Sequence, residues 1–241
     1  MSISLQTTVG DLASAIPHAA RVFETHRIDY CCGGRRTLEA ACQKVGADVS
    51  AVVAALEEPA RDPSGDDTDW RVAPLSALVR HIVNVHHTYM WQELPRVEAL
   101  MTKVARVHGP AHPELQELLP IVLGLVEELN GHLMKEERVL FPYITALDGG
   151  TVLTSPFGTV QNPIRMMNVE HEDAGGALES IRRLTSNHTP PEDACGSYRA
   201  LFAALAAMEL DLHQHIHLES NVLFPRAIDL EAARTPSNAE S

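Results

Sequence analysis

One phrase occurs twice in this chain. His132 and Glu136 precede Val139-Leu140-Phe141-Pro142, and His215 and Glu219 precede Val222-Leu223-Phe224-Pro225. Both copies read His-x3-Glu-x2-Val-Leu-Phe-Pro and stand 83 residues apart, while His87 and His171 precede them by 45 and 44 residues. Residues four apart share one face of an α-helix, so His-x3-Glu aims an imidazole and a carboxylate at one point. Two such pairs and two single histidines supply six nitrogen and oxygen donors. The repeat therefore predicts a binuclear metal site in a duplicated helical bundle.

Apolar periodicity predicts four long helices. The first runs from near Pro74 to about Val107. The second starts near Pro113 and reaches about Ile144, with a kink or end at Pro142. The third follows Asn162-Pro163 to about Thr185, and the fourth follows Pro190-Pro191 to about Ile228, with Pro225 placed as Pro142 is in the second. Connections of a few to about 20 residues suit an up-down-up-down bundle. Ahead of them, Thr7 or Thr8 caps a helix through Leu12, Ala15, Ile16 and Ala19 toward Phe23. A turn at Tyr30-Cys31-Cys32-Gly33-Gly34 follows, where two glycines permit positive φ and close approach. Helical patterning resumes over Leu38–Ala41 and Val49–Leu56. The expected division is a small helical domain at 1–57, a linker at 58–72, the bundle at 73–230 and a flexible tail at 231–241. The fold class is all-α.

The ligand set divides by evidence. His215 and Glu219 lie inside the stripe Leu201, Leu205, Met208, Leu212, Ile216 and Leu223, whereas His213 and His217 project from it and are expected in solvent. A buried carboxylate costs several kcal/mol unless paired or metal-bound, so an inward His-x3-Glu reads as a ligand pair. His132 and Glu136 sit on the flank of their stripe, and the repeat carries them; Lys135 offers Glu136 an ordinary salt bridge instead. His171 is central in its helix. Glu170 and Glu172 beside it read as a solvated acidic face, with Glu170 a candidate for lining an access path. In the first helix, periodicity from Leu75, Leu78, Ile82 and Val85 favours His86, while the repeat favours His87; His87 is chosen. There is no Glu-x-x-His pair of the ferritin kind. Four imidazoles and two carboxylates suit first-row transition metals rather than magnesium or calcium. Two carboxylates can bridge two irons beside an oxo or hydroxo group and leave one position per metal open.

Composition narrows the partners. Nineteen basic side chains against 32 acidic ones give a net charge of −13, with no Lys/Arg run to bind nucleic acid. No segment approaches the roughly 20 apolar residues that span a bilayer, and the amino terminus lacks a signal-peptide pattern. Cys31, Cys32, Cys42 and Cys195 show no CxxC spacing and read as reduced thiols in a cytoplasmic protein.

The Asp29-Tyr30-Cys31-Cys32-Gly33-Gly34 string, Asp69-Trp70-Arg71, Met134-Lys135-Glu136-Glu137 and the paired Val-Leu-Phe-Pro phrases resemble the repair-of-iron-centres family. The likeness covers nearly the whole chain. It implies a hemerythrin-like four-helix bundle behind a small amino-terminal domain. It also implies two iron ions, oxo-bridged, held by His87, His132, Glu136, His171, His215 and Glu219, with the glutamates bridging. The implied role is restoring iron–sulfur clusters damaged by nitric oxide or oxidative stress, by iron donation or by handling nitric oxide, rather than as an enzyme in the ordinary sense. Its partners would be damaged iron–sulfur proteins, with nitric oxide as ligand; a homodimer is also compatible. Cys31 and Cys32 would relay iron or react with nitric oxide, or be structural thiols beside a turn. Two rival readings are a nitric-oxide sink or sensor and an O2-binding hemerythrin.

Overall fold

The computed structural model describes residues 3–58, 68–151, 155 and 157–234. Most of the expected linker (59–67) and of the expected tail (235–241) lies outside the described residues. The chain divides into two compact bodies: residues 80–143 with 161–212, and residues 1–79 with 144–160 and 213–241. Among the described residues the secondary structure is helical, with a single isolated bridge between Thr8 and Thr37.

The second body opens with a small unit of four short helices, α1 (Val9–Ala15), α2 (Ala19–Thr25), α3 (Leu38–Val45) and α4 (Val49–Glu57). Three have side-chain caps: Thr8 Oγ1 accepts from Asp11 N, Thr37 Oγ1 from Ala40 N and Asp48 Oδ1 from Ser50 N. The single helix expected from Thr8 to Phe23 is two. Ile16 takes an extended conformation ahead of Pro17, as the residue before a proline prefers, and ends α1. Val9, Leu12, Phe23, Tyr30, Leu38, Cys42 and Val52 build the core of this unit. Gly33 and Gly34 serve close approach alone, since the positive φ values of glycines fall on Gly46, Gly150 and Gly158. A Cβ at Gly33 would stand 2.9 Å from the Asp29 carbonyl oxygen.

The other body is the bundle. It contains α6 (Thr88–His108), α7 (Glu114–Lys135), α9 (Gln161–Leu184) and most of α10 (Gly196–His217), where α5 (Leu75–Ile82) leads into α6 and α8 (Phe141–Asp148) follows α7 along the chain. α7 packs on both α6 and α9. Met90, Leu94, Val97, Leu118, Val122, Leu125, Leu178, Leu201 and Leu205 are buried between the helices. α11 (Phe224–Arg234) continues α10 and runs past the expected end near Ile228.

The helices are not plain α-helices. π turns interrupt three of them, at Val83–His87, Glu136–Leu140 and Leu218–Leu223. Phe141 N–H reaches back to Glu136 O, and Phe224 N–H to Glu219 O, each a bond across five residues. Pro142 and Pro225 come immediately after. A proline gives no N–H and crowds the carbonyl four residues back, so a widened turn ahead of it relieves both problems. The expected kink at Pro142 is thus a π turn in a continuing helix, and Val-Leu-Phe-Pro marks where it closes.

A candidate metal centre built on π turns

π turns are rare and concentrate at functional sites. Here His87 ends the first, Glu136 begins the second, and Glu219 is the second residue of the third. Each inserts a residue into the helical turn and rotates the side chains beyond it. This explains the conflict in the first helix. Both His86 (3% exposed) and His87 (fully buried) point inward, and they have different partners. His86 Nδ1 lies 3.0 Å from Asp211 Oδ1, whereas His87 Nε2 lies 3.4 Å from Glu136 Oε2.

In the bundle body four of the candidate residues meet. His132 Nε2 is also 3.4 Å from Glu136 Oε2, and His171 Nε2 is 3.2 Å from His132 Nε2. Glu136 has no exposed surface. The outer nitrogens are held as well: His87 Nδ1 donates to Glu137 Oε1 at 2.9 Å, and His132 Nδ1 donates to Glu170 Oε2 at 2.8 Å. A carboxylate only accepts, so each Nδ1 carries a proton; with the rings neutral, each Nε2 lone pair turns inward. Two lone pairs then face one carboxylate oxygen. Three electron-rich atoms at this spacing repel unless a cation sits among them, and a carboxylate behind each imidazole is the usual support of a metal-binding histidine.

Glu170 is no solvated acid. Burial alone would raise its carboxyl, but hydrogen bonds from Lys135 and His132 outweigh that and hold it below the usual range. Lys135 pairs with Glu170 rather than with Glu136. Glu137, which also accepts from Trp91 Nε1 at 2.9 Å, carries no sequence signal of its own beyond adjoining Glu136.

In the other body His215 and Glu219 are both fully buried, with His215 Nε2 2.8 Å from Glu219 Oε1. His217, expected in solvent, is 6% exposed, and burial lowers its pKa to about 4. Its Nε2 lies 3.3 Å from Ser14 Oγ, because the small domain covers the face that helical periodicity assigns to water. His213 is half-buried, its ring edge-on to that of Tyr30 with centroids 6.3 Å apart.

The cysteines are reduced: Cys31 and Cys32 Sγ are 3.8 Å apart. The Cys32 thiol, burial and the Asp29 carboxylate push the Cys31 thiol well above its ordinary pKa. Asp29, Cys31 and Cys32 nonetheless bring donor atoms within 4.8 Å of one another, a second group that could hold a metal ion. Cys42 is fully buried.

Helical architecture with buried His/Glu clusters that could hold a metal ion defines a cation-binding helical protein. Residues 78–227 match the hemerythrin HHE cation-binding domain, and residues 5–60 match the ScdA_N model, described as a domain of unknown function. The chain is 39% identical over 227 residues to the iron–sulfur cluster repair protein YtfE of Musicola paradisiaca, covering 94% of this chain and 98% of that protein. It is 40% identical to the YtfE of Citrobacter koseri (91% and 96% covered) and 38% identical to that of Yersinia pseudotuberculosis (92% and 96%). The chain belongs to the family of these proteins, with an ScdA_N domain ahead of a hemerythrin HHE domain. No helix among the described residues is long and apolar enough to cross a membrane.

Proposed function

We propose that this chain repairs iron–sulfur clusters damaged by nitric oxide or oxidative stress in the cytoplasm. His87, His132, Glu136, His171, His215 and Glu219 would hold two iron ions for this purpose, with Glu136 and Glu219 as carboxylates shared between them. The observation that carries the reading is the pair of imidazole Nε2 atoms, from His87 and His132, each 3.4 Å from the same Glu136 oxygen. His215 and Glu219 repeat the spacing and burial of His132 and Glu136. Similarity to proteins named for iron–sulfur cluster repair over more than nine-tenths of the chain supports the biological role.

The donor set fits iron. Neutral imidazoles outnumber carboxylates two to one, a borderline set that takes first-row transition ions. When bound, the ferrous pair would supply transferable iron and a centre with affinity for nitric oxide. The chain's own residues exclude water from the site, fix the imidazole tautomers through Glu137 and Glu170, and present two anionic groups to the cations. Cys31 and Cys32 are proposed as the thiols that receive or pass on what the centre releases. The proteins served would be those carrying damaged clusters.

The test is reactivation of a cluster-dependent dehydratase inactivated by nitric oxide, with the iron-loaded chain against the same chain in which His132 and His215 are both alanine. Recovery with the first and none with the second is expected. Equal recovery overturns the reading. Removal of free nitric oxide without recovery of the dehydratase would replace repair by a nitric-oxide sink.

A further inference from the structure

The two copies of the repeated phrase differ where the second meets the small domain. His217 and Asn221 stand where the first copy has Met134 and Arg138. Met134 is 41% exposed, whereas its counterpart His217 is buried. Asn221 Nδ2 lies 3.1 Å from the Cys31 carbonyl oxygen, 3.3 Å from that of Tyr30 and 3.2 Å from His217 Nδ1. The Ser14 hydroxyl, 3.3 Å from His217 Nε2, donates to Gly10 O at 2.9 Å. These groups form one connected chain: Asn221 donates to Cys31 O and contacts His217 Nδ1, His217 Nε2 contacts the Ser14 hydroxyl, and Ser14 donates to Gly10 O.

The small domain is shaped for this amide. A Cβ at Gly34 would stand 2.3 Å from Asn221 Oδ1, and one at Gly10 would stand 2.8 Å from it. Gly10 N–H donates to Gly34 O at 2.9 Å, so the two glycines form one seat. The Tyr30 ring packs against His217, tilted by 59° with centroids 5.5 Å apart. Asn221 also belongs to the π turn that holds Glu219, whose carbonyl accepts the closing bond from Phe224. A side chain within the Glu219 turn therefore carries the backbone of the cysteine turn.

We propose that Asn221 is a positioning residue that couples the Cys31–Cys32 turn to the turn bearing Glu219, so that a metal held by Glu219 is felt at the two thiols. The inference rests on the metal reading above. A ligand that fixes Glu219 stiffens the π turn around it. Asn221 passes that stiffness to the cysteine turn, whose local opening governs thiol access.

The experiment tracks iodoacetamide alkylation of each cysteine by peptide mass in the full chain, metal-free and with ferrous ion added anaerobically. Exposed Cys195 serves as the internal reference. Asn221→Ala, and independently Gly34→Ala, should speed alkylation of Cys31 in the metal-free chain about tenfold, as loss of a buried hydrogen bond does to a local opening. Bound ferrous ion should slow Cys31 and Cys32 in the wild type and leave both unchanged in Asn221→Ala, with equal iron per chain and unaltered circular dichroism. Protection that survives in Asn221→Ala means the thiols bind iron themselves, and overturns the coupling; so does an unchanged Cys31 rate in the metal-free variants. A wild-type chain that binds no iron overturns the metal reading alone, and the metal-free arm still decides whether Asn221 holds the cysteine turn.

Discussion

Trp91 and His87, four residues apart, share one acceptor: the indole Nε1 and the imidazole Nδ1 each lie 2.9 Å from Glu137 Oε1. Glu137 is thereby fixed from two sides and fixes the His87 ring in turn. Loss of a carboxylate behind a ligating histidine costs about 10- to 100-fold in metal affinity. Glu137→Gln should fall in that range, measured by iron competition with a chelator. Trp91→Phe, which removes one donor and leaves the carboxylate, should lose less. Equal affinities across wild type and Glu137→Gln would show that the ring needs no such support.

Glu136 and Glu219 are fully buried carboxylates. The wild-type chain should carry close to two irons per chain, and Glu136→Ala or Glu219→Ala should reduce that content. Removing metal with a chelator should lower the melting temperature of the wild type, because a ligand that binds only the folded state stabilises it. Metal analysis giving one iron or none for wild type after iron-replete growth would defeat this.

The neighbouring histidines make a sharper pair. His87→Ala should disturb the iron spectrum. His86→Ala should leave the spectrum near normal and instead destabilise the fold by about 1–3 kcal/mol, since Asp211 loses its imidazole in a partly buried setting. Chemical denaturation and absorption spectra separate the two, and the reverse pattern would reassign the ligand.

His112 ties two helix connections together. Its Nε2 lies 3.1 Å from Asp193 Oδ2, and its Nδ1 lies 3.1 Å from Glu114 Oε1. The hydrogen bond to Asp193, aided by Glu114, raises the His112 pKa, and the same bond lowers that of Asp193. A raised histidine pKa stabilises the fold fully below the unfolded value and loses that contribution as pH climbs through the folded one. The lowered Asp193 pKa acts at the other end, contributing above its unfolded value and fading as pH falls through its folded one. The pair should therefore help most between about pH 4 and 6.5. His112→Gln should flatten the decline of melting temperature across neutral pH; an unchanged slope would assign that decline to other groups.

Cys31→Ser with Cys32→Ser should keep full iron loading and lose repair of a damaged cluster. Repair at the wild-type rate would make both thiols structural.

The repeated phrase leads to six residues that the structure buries to 4% exposure or less. It does so because a motif that recurs with its spacing intact outweighs local periodicity. Geometry that a 3.6-residue period cannot express stays hidden from such a reading. The contest between His86 and His87 is the trace of a π turn, since an extra residue makes two adjacent positions face inward. Glu137 and Glu170 are illegible for another reason: acids beside an inward residue are expected to point at water, and only tertiary packing brings imidazole nitrogens to them. His217 departs from its expected place in solvent because the small domain covers its face. Pro17 stops a helix that the apolar pattern alone carries through to Phe23.

The π turns also show how far the internal repeat extends into the backbone. Those at Glu136–Leu140 and Leu218–Leu223 occupy matching places in the two copies and end on the same Phe-Pro pair. The same proline constraint acts on both copies and accounts for the match. The turn at Val83–His87 has no proline directly behind it and no counterpart in the uninterrupted α9, so the two halves of the repeat are alike at their glutamates and unlike at their single histidines.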